Sequence, residues 1–319
     1  MRIHSILTAV MLAAAMPAHA ADATSYPARS VRVLVGLAPG GGTDTVARVM
    51  TQKLSDVFGQ SFVVDNRPSA GGNIAGELAA RASPDGYTLI IVTPTHVVNP
   101  SLYRDLRYDA IKDFAAVVRI VDAQYFLSVS NALGVSSLSE FLALAKSAPK
   151  PLSYASSGIG SANHLSGELF RSMAGINLVH VPYKGGAPAL NALIAGEVGV
   201  SFTSSAALPH AKAGRIRTIA STGRKRTAVA PNVPTIGESG VPGYEVVGWY
   251  GMAAPARTPK SVIERLNGTI NRVLPELKDR YENIGLDLAG GSAEEFGAFL
   301  RSEREKWARV VKLSGAKVE

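Results

Sequence analysis

The strongest constraint in this sequence is a repeated step from an apolar run, through a glycine- or hydroxyl-rich loop, into a helical period. Val31-Arg32-Val33-Leu34-Val35 reads as a buried strand and stops at Pro39-Gly40-Gly41-Gly42. From Thr43 the apolar residues Val46, Val49, Met50, Leu54, Val57 and Phe58 recur at helical spacing. Strand patterns at 62–64 and 87–92 flank a helical stretch at 73–82, and 115–129 is again strand-like. A second series follows. The capping box Ser137-Leu138-Ser139-Glu140 opens a helix, strands are expected at 152–155, 178–181, 198–202 and 216–220, and helices at 162–173, 188–195 and 206–213. Such alternation predicts α/β units with parallel pairing and helices on the sheet faces. Prolines and glycines over 231–243 mark an irregular connection, after which a strand at 246–253 is expected. Thr258-Pro259 then opens a helix over 262–274, and Ser292-Ala293-Glu294-Glu295 caps a last helix with an apolar face. No internal repeat is evident at the residue level.

The 319 residues leave room for about two domains. With 46% apolar and 18% charged residues the chain has globular proportions. The absence of cysteine removes disulfides, thiolate metal sites and cysteine nucleophiles together. Near the start, Arg2 is followed by an apolar run over 6–16 and by Ala18-His19-Ala20, a small-x-small cleavage pattern. Residues 1–20 are therefore expected to be a signal peptide removed near Ala20, since the run is too short for the roughly 20 residues of a membrane span. The exported chain is expected in the periplasm, with no lipid anchor because no cysteine follows the cleavage point.

The net charge of +8 asks for an acidic partner or a solvated basic surface. Its densest stretch, Arg215, Arg217, Arg224, Lys225 and Arg226, lacks interleaved aromatics, so nucleic acid is not expected as a partner. Enzyme signatures are also missing. There is no Gly-x-Ser-x-Gly elbow, His-Glu-x-x-His pair or phosphate loop, and His96, His164, His180 and His210 have no metal-ligand spacing. No cofactor and no metal are expected.

Pro39 to Asp44 and Ser156-Ser157-Gly158-Ile159-Gly160-Ser161-Ala162-Asn163-His164 share a physical design. Glycines let backbone N–H groups approach a ligand, and each helix start carries about half a positive charge, so each loop reads as an anion site. The hydroxyls of Thr43, Ser156, Ser157 and Ser161 add donors or cap the helices; either loop alone is compatible with both. Ligands of open α/β sheets bind at the carboxyl ends of strands, where both loops lie. The same edge would bring Thr93, Tyr183-Lys184, Ser204 and Arg67 toward a ligand. Asp44 reads either as a stabiliser of the helix dipole or as a candidate base.

Together these segments resemble the extracytoplasmic solute receptors of the tripartite tricarboxylate transporter family, the Bug proteins. The resemblance is carried by Ala38-Pro39-Gly40-Gly41-Gly42-Thr43-Asp44, Asn66-Arg67-Pro68, Ala70-Gly71-Gly72-Asn73, Pro84-Asp85-Gly86-Tyr87 and Asp113-Phe114. It continues through 153–165, His180-Val181-Pro182-Tyr183-Lys184-Gly185, Pro209-His210, Val233-Pro234-Thr235 and Trp249-Tyr250-Gly251. It spans essentially the whole mature chain. It implies a two-lobed α/β periplasmic binding protein (type II, Venus-flytrap), with a parallel-rich sheet in each lobe and helices on both faces. Lobe one takes 26–123 plus 246–319, and lobe two takes 124–245.

The resemblance further implies a monomeric, non-enzymatic receptor that closes around a small carboxylate and delivers it to membrane permease subunits. The carboxylate is expected between Gly41, Gly42, Thr43 and Asp44 of lobe one and Ser156, Gly158, Gly160, Ser161 and His164 of lobe two. Pro39, Arg67, Thr93, Ser157, Tyr183, Lys184 and Ser204 complete the expected ligand set. Gly36-Leu37, Ser69 and Thr203-Ser204-Ser205 depart from the family pattern near the cleft and bear on which acid is bound. Two alternatives are a ligand sensor for a membrane signalling partner and an exported hydrolase or isomerase with Asp44 or His164 as base.

Overall fold

The computed structural model describes residues 26–158, 161–183 and 186–314; the expected signal segment at 1–20 lies outside them. In chain order the first elements are β1 (Val31–Val35), α1 (Gly42–Phe58), β2 (Phe62–Asn66), α2 (Asn73–Ala80), β3 (Thr88–Val92), α3 (Pro94–Leu102) and β4 (Phe114–Gln124). The next are β5 (Phe126–Ser130), α4 (Leu138–Ser147), β6 (Leu152–Ser156), α5 (Ala162–Ala174), β7 (Leu178–Pro182), α6 (Gly186–Ala195), β8 (Val200–Thr203), α7 (Leu208–Lys212) and β9 (Ile216–Ser221). The chain ends with β10 (Val247–Pro255), α8 (Lys260–Val273), α9 (Lys278–Glu282), β11 (Asp287–Gly290) and α10 (Ala293–Ser314).

The strands form two sheets, ordered β11-β4-β10-β3-β1-β2 and β7-β6-β8-β5-β9. β1 pairs in parallel with β2 and β3, while β10 runs antiparallel between β3 and β4, and β11 antiparallel to β4. In the second sheet β6 pairs in parallel with β7 and β8, and β5 runs antiparallel between β8 and β9. Both sheets are thus mixed, although β1 to β4 share one direction and β6 to β9 share another. The strand lying between those co-directional neighbours, β10 or β5, is the one the chain enters on arriving from the other sheet. The two sheets therefore repeat one plan, which the residues themselves do not betray.

Burial follows the two-residue alternation of strands. Val33, Val35, Leu89, Ile91 and Met252 pack under α1 and α8, whereas Leu34, Ile90, Val92 and Ala253 join a core with α2, α3 and α10. This second core continues into the other sheet through Tyr244, Phe170, Phe202 and Phe141. At its centre both indole N–H groups, of Trp249 (3.2 Å) and Trp307 (2.9 Å), donate to Glu303 Oε2.

Beyond the short α9 and the edge strand β11, which carry no signal in the sequence pattern, three features differ from it. The stretch 115–129 is two strands broken at Tyr125, and the helix expected at 206–213 is a 3₁₀ turn followed by the short α7. The helix α3 was not signalled, because β-branched Val97 and Val98 and the internal Pro100 weaken its helical propensity. It forms because Thr93-Pro94 starts it and Val97, Val98 and Leu102 are buried against the core.

His96 of α3 is also buried there, stacked on Tyr108 with a ring separation of 5.7 Å, and its Nε2 bonds the Ala110 carbonyl at 2.9 Å. Burial pushes its pKa down from 6.5 to about 4, against the smaller opposing effects of the Ala110 carbonyl and Asp109. Above pH 6.5 the ring is neutral in both folded and unfolded chains. As the pH falls from 6.5 to 4 the unfolded chain takes a proton that the folded one refuses, so stability drops by about 3 kcal/mol. A His96→Gln variant, which keeps a donor for Ala110, is expected to show a shallower decline in urea midpoint over that range; an unchanged slope would contradict this account. Gly251 of β10 supplies a second test. A Cβ there would stand 2.2 Å from Phe296 Cζ. Gly251→Ala therefore pushes α10 off the sheet and is expected to cost about 1–3 kcal/mol in the same unfolding measurement.

Candidate functional site

The carboxyl ends of β1, β3, β6 and β8 lead into the loops that face the space between the sheets. A cavity of about 510 Å³ lies there, and four expected residues line it: Thr43 and Thr93 from the first sheet, Ser157 and Ser161 from the second. Gly41 is the N-cap of α1 and Thr93 that of α3, while Ser161 caps α5 by accepting from His164 N at 3.3 Å. Three helix starts thus converge on one cavity, each bringing unpaired backbone N–H groups.

The first loop is held from behind. Asp44 is buried, and its carboxylate accepts from Gly40 N (2.9 Å), Arg48 Nε (2.8 Å) and Asn66 Nδ2 (3.0 Å). The Arg48 hydrogen bond, helped by those of Gly40 and Asn66, holds its pKa below the ordinary carboxylate value despite burial. Asp44 is therefore committed to bracing the glycine loop, and an anion that avid for its own donors makes a poor base. Arg67 turns the other way, with its Nε 2.9 Å from Asp65 Oδ1.

The second loop is braced in a similar manner. Ser156 Oγ contacts Gly158 N at 3.1 Å and His180 Nε2 at 2.6 Å. The His180 ring stacks on His164 at 4.1 Å, and burial, with the neighbouring His164 charge, pushes its pKa down to about 4. Burial likewise lowers that of His164. Ser156 and His164 belong to this support and do not reach the cavity wall. Gly158, at φ 128°, occupies a backbone region that side chains resist, which lets the chain turn sharply before α5. Ser157 Oγ donates to Asn163 Oδ1 (2.6 Å), whose Nδ2 donates to the Phe202 carbonyl (2.6 Å), so the loop is tied to the end of β8.

Pro39, Tyr183 and Ser204 are not on the cavity wall; Tyr183 N instead donates to the Ser156 carbonyl at 3.0 Å, and Ser204 caps a 3₁₀ turn. Gly160 and Lys184 lie outside the described residues. Gly41 and Gly42 are not on the cavity wall either, although a Cβ on Gly42 would come within 2.9 Å of Tyr250 Oη.

Tyr125, Tyr250, Thr95 and Asn163 also line the cavity and were not among the expected residues. Tyr125 comes from the crossing between β4 and β5, and Tyr250 from β10, the strand that follows the return crossing. A hint of each was present: Tyr125 interrupts a strand-like run, and Tyr250 sits in the Trp-Tyr-Gly motif. Among the described residues the wall carries no Lys, Arg, Asp, Glu or His. A larger depression of about 870 Å³ is walled by charged residues that pair with one another, as in Arg119–Asp122 (3.2 Å) and Arg224–Glu245 (3.1 Å). It has none of the converging helix starts. The smaller cavity is accordingly the candidate site: it can hold an anionic group by neutral donors and helix dipoles.

Three comparisons bear on what this arrangement is. A relative from Pseudomonas sp. (strain P51), the UPF0065 protein in the tcbD-tcbE intergenic region, is 36% identical over 90% of this chain and 87% of its own length. The solved structure of R. palustris Rpa4515 with adipate matches with a TM-score of 0.77 and 38% identity, covering 92% of this chain and all of that one. MatC from Rhodopseudomonas palustris with bound malate matches with a TM-score of 0.72 and 31% identity, over 90% of this chain and all of that one. The model of the tripartite tricarboxylate transporter family receptor matches residues 46–316. The chain, with its two sheets and the cavity between them, belongs to the tripartite tricarboxylate transporter family of receptors.

Proposed function

We propose that this receptor captures a small carboxylate in the 510 Å³ cavity by closing two lobes around it, and passes it to membrane permease subunits. The observation that carries this reading is the convergence of the α1, α3 and α5 starts on a cavity whose described wall has no charged side chain. A carboxylate needs several donors, and the backbone N–H groups of the helix starts with the hydroxyls of Thr43 and Thr93 supply them without an ion pair. Adipate and malate, held by two similar proteins, belong to the same chemical class. The reaction is reversible binding without bond-making, a reading supported by an Asp44 carboxylate engaged by Arg48 and a Ser156 that lies off the cavity wall.

The lobes in this reading are 26–123 with 246–319, and 124–245. What supports the division is the membership of the strands: β1 to β4, β10 and β11 in one sheet, β5 to β9 in the other. The protein acts as a monomer in the periplasm; the removal of residues 1–20 is supported by the apolar run and the small-residue cleavage pattern. No described helix is long and apolar enough to cross a membrane.

A panel of mono-, di- and tricarboxylates is expected to raise the melting temperature for at least one acid. At 100 times its dissociation constant a ligand adds about 2.7 kcal/mol of stability. A panel that leaves both melting and tryptophan fluorescence unchanged overturns the reading. For the acid that binds, Thr93→Val removes a hydroxyl at nearly constant shape. Calorimetry is expected to show affinity reduced roughly tenfold, the worth of about one hydrogen bond. Unchanged affinity would take Thr93 out of the site.

A further inference from the structure

The cavity floor contains a polar group that nothing in the protein uses. Tyr250 lies on β10, the strand the chain enters on returning to the first sheet, and its ring lines the cavity. Its hydroxyl takes no hydrogen-bond partner among the described residues. Tyr250 is partly buried but its oxygen keeps access to the cavity, so its hydrogen bond is available to a group that enters there.

Its position narrows what that something is. A Cβ built on Gly42 would lie 2.9 Å from Tyr250 Oη but an ordinary 3.7 Å from Tyr250 Cζ. The oxygen alone thus claims the space that a side chain at position 42 would fill. Gly42 does not occupy the left-handed backbone region, so its φ gives no reason for a glycine there. The close approach of the hydroxyl does. Gly42 is also the first residue of α1, where backbone N–H groups are left unpaired. A hydroxyl donor and the start of a helix therefore point at one spot in the cavity.

We infer that Tyr250 Oη donates a hydrogen bond to the ligand carboxylate held at the start of α1, and that Gly42 is a glycine to leave room for that hydroxyl. The inference rests on the carboxylate reading above. It adds a third arm to the clamp, contributed by β10, the strand that follows the return crossing. Because β10 follows directly on the segment that connects the sheets, contact with Tyr250 ties occupancy of the cavity to the position of the hinge. Burial raises the phenol pKa, so the group remains a proton donor at neutral pH.

The test uses the full mature chain and the tightest-binding of adipate, malate, benzoate and hexanoate, titrated by calorimetry. Tyr250→Phe is expected to weaken binding roughly ten- to a hundredfold, the worth of a hydrogen bond to a charged group. The melting temperature without acid should stay at the wild-type value, because the hydroxyl has no partner in the protein. Gly42→Ala is expected to weaken binding in the wild type but to add little in the Tyr250→Phe background, where the crowding oxygen is gone. Retained affinity in Tyr250→Phe overturns the inference while leaving the carboxylate reading intact. An equal loss from Gly42→Ala in both backgrounds overturns the placement at α1, and a lowered melting point of acid-free Tyr250→Phe overturns the unpartnered hydroxyl. If wild-type protein binds none of the four acids and no other member of the mono-, di- and tricarboxylate panel, the carboxylate reading fails and this inference with it.

Discussion

The structure depends on how the chain crosses between its sheets. Tyr125, between β4 and β5, and Thr222, just after β9, are bonded in both directions: Thr222 N donates to the Tyr125 carbonyl at 2.9 Å, and Tyr125 N donates to the Thr222 side-chain Oγ1 at 2.9 Å. Val246 N then donates to the Thr222 carbonyl, and Gly223 N to Gln124 Oε1. The outgoing and returning segments are thus one bonded unit, set beside the cavity. Each delivers an antiparallel strand into the middle of a sheet, so neither sheet is complete without the crossing. A core that runs through Trp249, Tyr244 and Phe170 ties the same region together by apolar burial.

The loops at the strand ends show a division of labour between charge and neutral dipoles. Charged groups stand behind the loops and fix their shape: Asp44 with Arg48 behind the first, and Glu168 with Arg171 near the second, where Tyr154 also bonds Glu168. The described cavity wall itself is neutral. A fully paired cation inside it would have to be stripped of water, which costs several kcal/mol before any ligand arrives. Backbone donors that the fold already leaves unpaired at helix starts avoid that cost. The basic excess of the whole chain acts at longer range, on the approach of an anion.

Much of the site was legible because its chemistry is local. Glycines followed by a helical period specify a helix start, and Thr43, Ser157 and Ser161 sit at such starts, where the cavity is found. The residues that turned out to support the loops carry the same sequence signal as those that line them. Asp44 and His164 stand in the right segments, and only the distances to Arg48 and His180 show that they face inward. Arg67 was drawn by chemistry to a carboxylate; the nearest one belongs to Asp65, two residues away. The hints at Tyr125 and Tyr250 did not place them in the cavity, because that place depends on pairings across some hundred residues.

The sequence by itself determined the class of structure. Apolar runs of strand length, capped helical periods and glycine loops between them are local preferences, and they specify α/β units whose loops gather at strand ends. The tertiary structure decided three things that local preference does not reach: the antiparallel place of β5 and β10, the formation of α3 against its weak propensity, and the meeting of Tyr250 with Gly42. Each is a contact between segments far apart in the chain. Its free energy comes from burial and pairing that exist only once the sheets have assembled, which is why no window of the sequence contains it.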